Sequence, residues 1–114
     1  MAWEVEYTDE FEVWWLALNE GEQVEIDAHV GLLEEKGPSL PFPYSSDINN
    51  SRYGGMRELR VQYKGDPYRI LYAFDPRRAA ILLIGGNKKG DDRWYDTFVP
   101  IADKLFADHL EKIK

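Results

Sequence analysis

The chain has 114 residues, 44% hydrophobic and 14% aromatic, enough for one packed core, which excludes wholesale disorder and leaves little room for a second domain. A formal net charge of −7 argues against nonspecific nucleic-acid binding, and the lack of cysteine excludes a disulfide scaffold, a thiolate metal site and a cysteine nucleophile. The longest apolar run, Ala79 to Ile84, is far short of a membrane helix, and the acidic opening lacks the features of a signal or transit peptide, so residues 1–114 read as one cytoplasmic domain with no cofactor and no membrane association.

Ala2 to Tyr7 alternates apolar and polar residues, with Trp3, Val5 and Tyr7 on one face, and this predicts a half-buried strand. Thr8 offers an N-cap, followed by Asp9 and Glu10 in a first turn that favours negative charge. Phe11, Trp14, Trp15 and Leu18 then recur at i, i+3, i+4 and i+7 as one helical stripe, so the two tryptophans read as core, with an interface position for one of them as the alternative. Asn19 and Glu22 read as the capping box of a second helix, with Gly21 as a hinge. Val24, Ala28, Gly31 and Leu32 share a face along it, and Gly37-Pro38 ends it. The two helices, joined by a short connection, are expected to form an antiparallel pair.

From Pro38 to Gly55 three prolines and several Ser and Asn residues predict an irregular loop with some extended structure. The period then changes to two. Leu59, Val61 and Tyr63 alternate with Glu58, Arg60, Gln62 and Lys64, Lys64 to Pro67 reads as a turn, and Tyr68 to Phe74 alternates again. After a second turn at Asp75 to Arg78, Ala79 to Ile84 is apolar throughout, as in a strand covered on both faces, and Gly85 to Gly90 reads as a flexible exit. Thr97 is placed to cap a last helix carrying Phe98, Ala102, Leu105, Phe106, Leu110 and Ile113, with Pro100 in its first turn. The fold class predicted is α+β: a small, mostly antiparallel sheet, two N-terminal helices packed as a pair on one face, and a C-terminal helix.

The charge is unevenly distributed. Up to Asn49 there are twelve carboxylates against Lys36 alone, whereas Asn50 to Trp94 carries ten basic residues against five acidic ones, so an anion can be met locally. If the hairpin turn holds an even number of residues, pairing Tyr63 with Tyr68 and Gln62 with Arg69, then Arg60 and Arg69 share one sheet face. Pairing Phe74 with Ala79 sets Ile84 opposite Arg69 and carries Lys88 to that face. Two guanidinium forks and an ammonium form a phosphate-sized anion site. The alternative is that Arg60 merely pairs with Glu58. His29 and His109 read as surface or partly packed residues, and two histidines are too few to anchor most metal sites, so no metal is expected. Gly85 to Gly90 lacks the spacing and the Ser/Thr of a phosphate-binding P-loop.

Glu58-Leu59-Arg60, then Tyr68-Arg69-Ile70-Leu71-Tyr72-Ala73-Phe74-Asp75-Pro76, then an apolar strand leading to Lys88-Lys89 together resemble the RelE/ParE toxin superfamily, most of all its HigB-like, phage Gp49-related branch. The likeness covers nearly the whole chain. It implies the RelE-like order of elements and a type II toxin with a cognate helix-turn-helix antitoxin. It further implies metal-independent cleavage of messenger RNA at the ribosome, by attack of the RNA's own 2′-hydroxyl on the adjacent phosphate. By this resemblance Arg69 stabilises the phosphorane charge and Arg60 assists it from the preceding strand. Lys88 or Lys89 binds phosphate or moves a proton, and Tyr95 stands in for the catalytic tyrosine or histidine near the chain end. Arg57, Lys64 and Arg93 join Lys89 as RNA-binding candidates. The superfamily also contains gyrase inhibitors, and a degenerate phage-derived protein that only binds a partner is the remaining alternative. Because Tyr68, Ile70, Tyr72 and Phe74 point the other way, Arg69 is expected to have no scaffold task, its removal costing less than about 1 kcal/mol.

Overall fold

The computed structural model describes residues 2–114, so Met1, the first residue of the expected domain, lies outside the described residues. In chain order the elements are β1 (Val5–Tyr7), α1 (Asp9–Leu16), α2 (Glu20–Lys36), β2 (Ser45–Asp47), β3 (Arg57–Tyr63), β4 (Asp66–Phe74), β5 (Ala80–Asn87) and α3 (Trp94–Lys112). The sheet order is β1-β5-β4-β3-β2. β1 runs parallel to β5 and every other pair is antiparallel, so the sheet is mixed. β2 supplies the extended structure expected within the proline-rich loop. Among the described residues no helix is long and apolar enough to cross a membrane.

Both faces of the sheet are covered. On one, Phe11 of α1 and Ile26 and Leu33 of α2 pack on Leu59, Val61, Tyr68, Ile70, Tyr72 and Leu82. On the other, Trp94, Val99, Ala102 and Phe106 of α3 pack on Leu71, Ala73, Ile81 and Leu83. The expected caps form: the Thr8 hydroxyl accepts from Phe11 N at 3.0 Å, and Asn19 and Glu22 make both bonds of a capping box. α1 lies over β5 and α2 over β3. The buried stripe of α2 is Ile26 and Leu33, whereas Val24 is exposed and Ala28 faces water. Apolar residues are scattered around this helix, so its own pattern does not select a face, and packing on β3 does.

Lys64 and Gly65, both at positive φ, make a two-residue hairpin turn, and Asp66 and Pro67 belong to β4 and not to the turn. Arg60 therefore lies directly opposite Arg69, two positions from the expected register. An even shift leaves every side chain on its face. The β4–β5 connection is odd in length, since Phe74 pairs with Ala80, and this alone would reverse the parity. A bulge beside Leu71 and Tyr72 reverses it again, so Arg69 faces Gly86 where Ile84 was expected.

Two further elements begin or end elsewhere than expected, for one reason. β5 continues through Gly85 and Gly86 to Asn87, and α3 starts at Trp94 and not after Thr97, which leaves Pro100 inside the helix. A Cβ on Gly85 would lie 2.3 Å from the Trp14 ring, and one on Gly86 would lie 2.6 Å from Trp94 Nε1. The glycines are strand residues that let two indoles reach the backbone. Gly85→Ala should accordingly lower stability by about 1–3 kcal/mol through overpacking. Gly31→Ala, with open space around its Cβ in mid-helix, should raise it by roughly 0.5–1 kcal/mol. Urea unfolding of the two variants checks both signs.

Candidate active site

Alternation along β3 sends Glu58 and Arg60 to the α3 face, and the β3–β4 register sets Arg69 beside them. Glu58 is only 4% exposed, so its carboxylate depends on partners for the hydration it has lost. Four elements supply them. Tyr95, at the start of α3, donates its hydroxyl to Oε1 at 2.5 Å, and Arg60 Nη1 donates to Oε2 at 3.0 Å. The Ser46 hydroxyl of β2 donates to Oε2, and Arg69 Nε of β4 lies 3.5 Å from Oε1. That last separation is an ion pair and not a hydrogen bond. Arg69 Nη1 donates to Tyr68 O at 2.9 Å, which leaves Nε as a buried donor without a hydrogen-bond partner among the described residues. Lys88 sets its ammonium 5.7 Å from the centre of the Tyr95 ring.

Burial, then the hydrogen bond to Glu58 and its negative charge, push the Tyr95 phenol above its ordinary pKa, against an opposing pull from Arg69. Tyr95 is therefore neutral at pH 7 and carries a proton it can donate. Two guanidinium groups and a neutral phenol meet one buried carboxylate, and Lys88 lies over the phenol ring, so positive charge is in excess there. Preorganised donors of this kind suit an anion whose charge develops during reaction.

Arg60, Arg69, Lys88 and Tyr95 thus converge, and the other basic candidates do not. Arg57 lies on the opposite sheet face, where Nε donates to Ser45 Oγ at 3.0 Å and Nη1 to Asp47. Lys89 is ion-paired with Asp66 at 3.2 Å, Lys64 sits in the hairpin turn over the Tyr63 ring, and Arg93 is exposed beside the α3 start. Glu58 at the centre went unrecognised as more than a partner for Arg60. Its signal was the i, i+2 spacing that puts both side chains on one face of a strand. Arg69, at 6% exposure and paired with Glu58, does have a scaffold task, contrary to expectation. His29 contacts the Glu25 carbonyl, and His109 packs at the end of the sheet with Nε2 2.8 Å from Asp75 Oδ2.

The profile of the phage derived protein Gp49-like family matches residues 13–107. The chain belongs to that family. It is 46% identical over 94 residues to a Mycobacterium tuberculosis protein described as putative toxin HigB3, covering 82% of this chain and 81% of that one. A second protein of the same organism, described as putative toxin HigB2, is 43% identical over 91 residues, which span 78% of this chain and 45% of the relative. Among solved structures, a mutant of the E. coli toxin RelE in the free state superposes with a TM-score of 0.58 at 9% identity, over 100% of each chain. An archaeal RelE from a RelE–RelB complex of Pyrococcus horikoshii gives 0.58 at 15% identity, over 79% of this chain and 99% of that one. This Gp49-like chain accordingly has the RelE fold.

Glu58→Ala in the Gp49-like chain should cost about 3–5 kcal/mol, since it strands the Arg69 charge in a buried site. Arg69→Ala should cost less, roughly 1–3 kcal/mol, because Arg60, Ser46 and Tyr95 still hold Glu58. Denaturant midpoints of the two variants rank them. Asp75 gives a pH-dependent counterpart. Burial raises its pKa, but hydrogen bonds from His109, Arg77 and the Ala79 amide outweigh that and hold it below the ordinary value. A depressed folded pKa stabilises above the unfolded value of about 3.9 and is lost as pH falls through the folded one. The stability advantage of the native chain over Asp75→Asn should therefore be full at pH 7 and shrink below about pH 4, as read by thermal unfolding across that range.

Proposed function

We propose that the chain, as one domain, is the toxin of a type II toxin–antitoxin pair and acts as a metal-independent endoribonuclease on messenger RNA at the ribosome. The observation that carries this reading is the convergence of Arg60, Arg69 and Tyr95 on one buried carboxylate, with Lys88 over the Tyr95 ring and Arg69 Nε without a hydrogen-bond partner among the described residues. The similarity to two proteins described as putative HigB toxins, and the RelE fold, support the toxin assignment. The RelE–RelB complex of Pyrococcus horikoshii supports an antitoxin as partner, and the resemblance makes that antitoxin a helix-turn-helix protein.

In this reading the 2′-hydroxyl gives its proton to water as its oxygen bonds to phosphorus and the bond to the 5′-oxygen breaks, leaving a cyclic phosphate and, once the leaving oxygen is protonated, a free 5′-hydroxyl. The guanidinium groups of Arg60 and Arg69 face the charge that builds on the phosphorane, and such donors act more strongly in the transition state than in the ground state. Tyr95, kept neutral by burial, donates a proton to the leaving oxygen, and Lys88 beside it assists the proton transfer. Glu58 positions Arg60, Arg69 and Tyr95.

Arg60 is only half-buried, so Arg60→Ala separates function from folding better than a change at Arg69. Arg60→Ala and Tyr95→Phe should each lower the cleavage rate roughly 10²–10³-fold, as for loss of one transition-state donor. Arg69→Lys should retain charge but lose the fork, and give intermediate activity. Primer extension on transcripts after induced expression reads the outcome. Cuts within translated codons that vanish in Arg60→Ala support the nuclease, and growth arrest with DNA-damage signalling and no RNA cuts overturns it in favour of a gyrase inhibitor.

A further inference from the structure

β2 pairs only with Arg57, Glu58 and Leu59, and beyond the Arg60 amide the edge of β3 is open. Along that opening the segment before β2 sets two large rings in water. Phe42 is 68% exposed and Tyr44 42%. Neither is needed by the core, and the Tyr44 backbone alone continues the ladder, its carbonyl accepting from Arg60 N at 2.8 Å. The Arg60 guanidinium stacks 5.1 Å from the centre of the Phe42 ring while its Nη1 holds Glu58. One side chain therefore joins the exposed ring to the anion site. A cleft of about 290 Å³ adjoins them, lined by Glu25, His29, Tyr44, Arg60, Gln62 and Arg69. Its Glu, His and Gln side chains offer both donors and acceptors.

We propose that Phe42 and Tyr44 form a stacking platform for an unpaired nucleobase of single-stranded RNA, next to the phosphate met by Arg60 and Arg69. The proposal rests on the ribonuclease reading of the site. Every nucleobase has a π-face, and stacking on an aromatic ring binds it whatever its sequence. The mixed cleft beyond the rings, which Pro43 and Val61 also line, then meets the base edge, where Glu25, His29 and Gln62 can discriminate. A protein partner would use the same rings as apolar anchors. A cation against one ring, a cleft carrying Glu25, His29 and Gln62 behind the other and phosphate-type donors alongside favour a nucleotide.

The test uses the full chain and fluorescent 2′-O-methyl hexauridylate, which cannot be cleaved by 2′-hydroxyl attack, against a matching hexamer of abasic sugars. The native chain should bind the base-bearing probe more tightly, by roughly 5- to 100-fold for a stacked base. Phe42→Ala with Tyr44→Ala should erase that preference and leave the salt dependence unchanged, since phosphate contacts remain. Phe42→Trp in the Tyr44→Ala background should restore part of it. A double variant that keeps the preference, while Arg60→Ala weakens both probes, overturns the platform and leaves the anion site standing. Equal binding of the two probes by the native chain also overturns it and marks the rings as a protein contact. Absence of salt-sensitive binding to either probe overturns the platform and the ribonuclease reading together.

Discussion

Glu58 is a carboxylate removed from water in the interior of a sheet, and an ionised group so placed persists only where charge and hydrogen bonds replace its hydration. The replacement comes from β2 through Ser46, from β3 through Arg60, from β4 through Arg69 and from α3 through Tyr95. An edge strand, the central hairpin and the last helix must all be docked before that carboxylate is satisfied. A buried ionic cluster of this kind adds little net stability, since desolvation offsets most of the attraction, yet loss of one partner strands a charge. It also holds the Arg60 and Arg69 guanidinium groups against the same carboxylate.

Tyr95 reaches this cluster because of an absence of side chain elsewhere. Gly86 has no Cβ, so Trp94 settles onto the β5 backbone and starts α3 three residues before Thr97, the cap expected from the sequence. The next residue is Tyr95, whose hydroxyl then meets Glu58. Trp14 makes the equivalent approach to Gly85 from the other face. Two neighbouring glycines thus fix where α1 and α3 sit relative to one strand, and the position of the phenol follows.

The acidity of the whole chain says little about this site. Most of the carboxylates in the N-terminal half lie on α1 and α2, which cover the opposite face of the sheet. The basic stretch supplies three cations to the α3 face, and the packed sheet separates the two sets of charge. A local potential of one sign can coexist with a net charge of the other when a low-dielectric layer lies between them.

Much of the architecture was legible because it rests on local rules. Thr8, Asn19 and Glu22 cap their helices through bonds spanning three residues, and period-two alternation placed Arg60 and Arg69 on one face however the hairpin register slipped by two. The family resemblance, carried by the Tyr-Arg-Ile-Leu-Tyr strand and the lysine pair, added the roles proposed for those side chains. What the chain could not announce depends on contacts between residues far apart in sequence. The buried face of α2 was chosen by β3, because its own apolar pattern is ambiguous. The bulge that brings Gly86 opposite Arg69 compensates an odd-length connection, and neither is visible as a period. Arg57 read like the other arginines and was turned away by its strand position toward Asp47 and Ser45. Composition, capping and alternation thus determined the elements, the fold class and the shared face of the two arginines. Only tertiary packing decided that Glu58 would be buried among them, because the cost of burying a charge is settled by which partners the whole fold brings within reach.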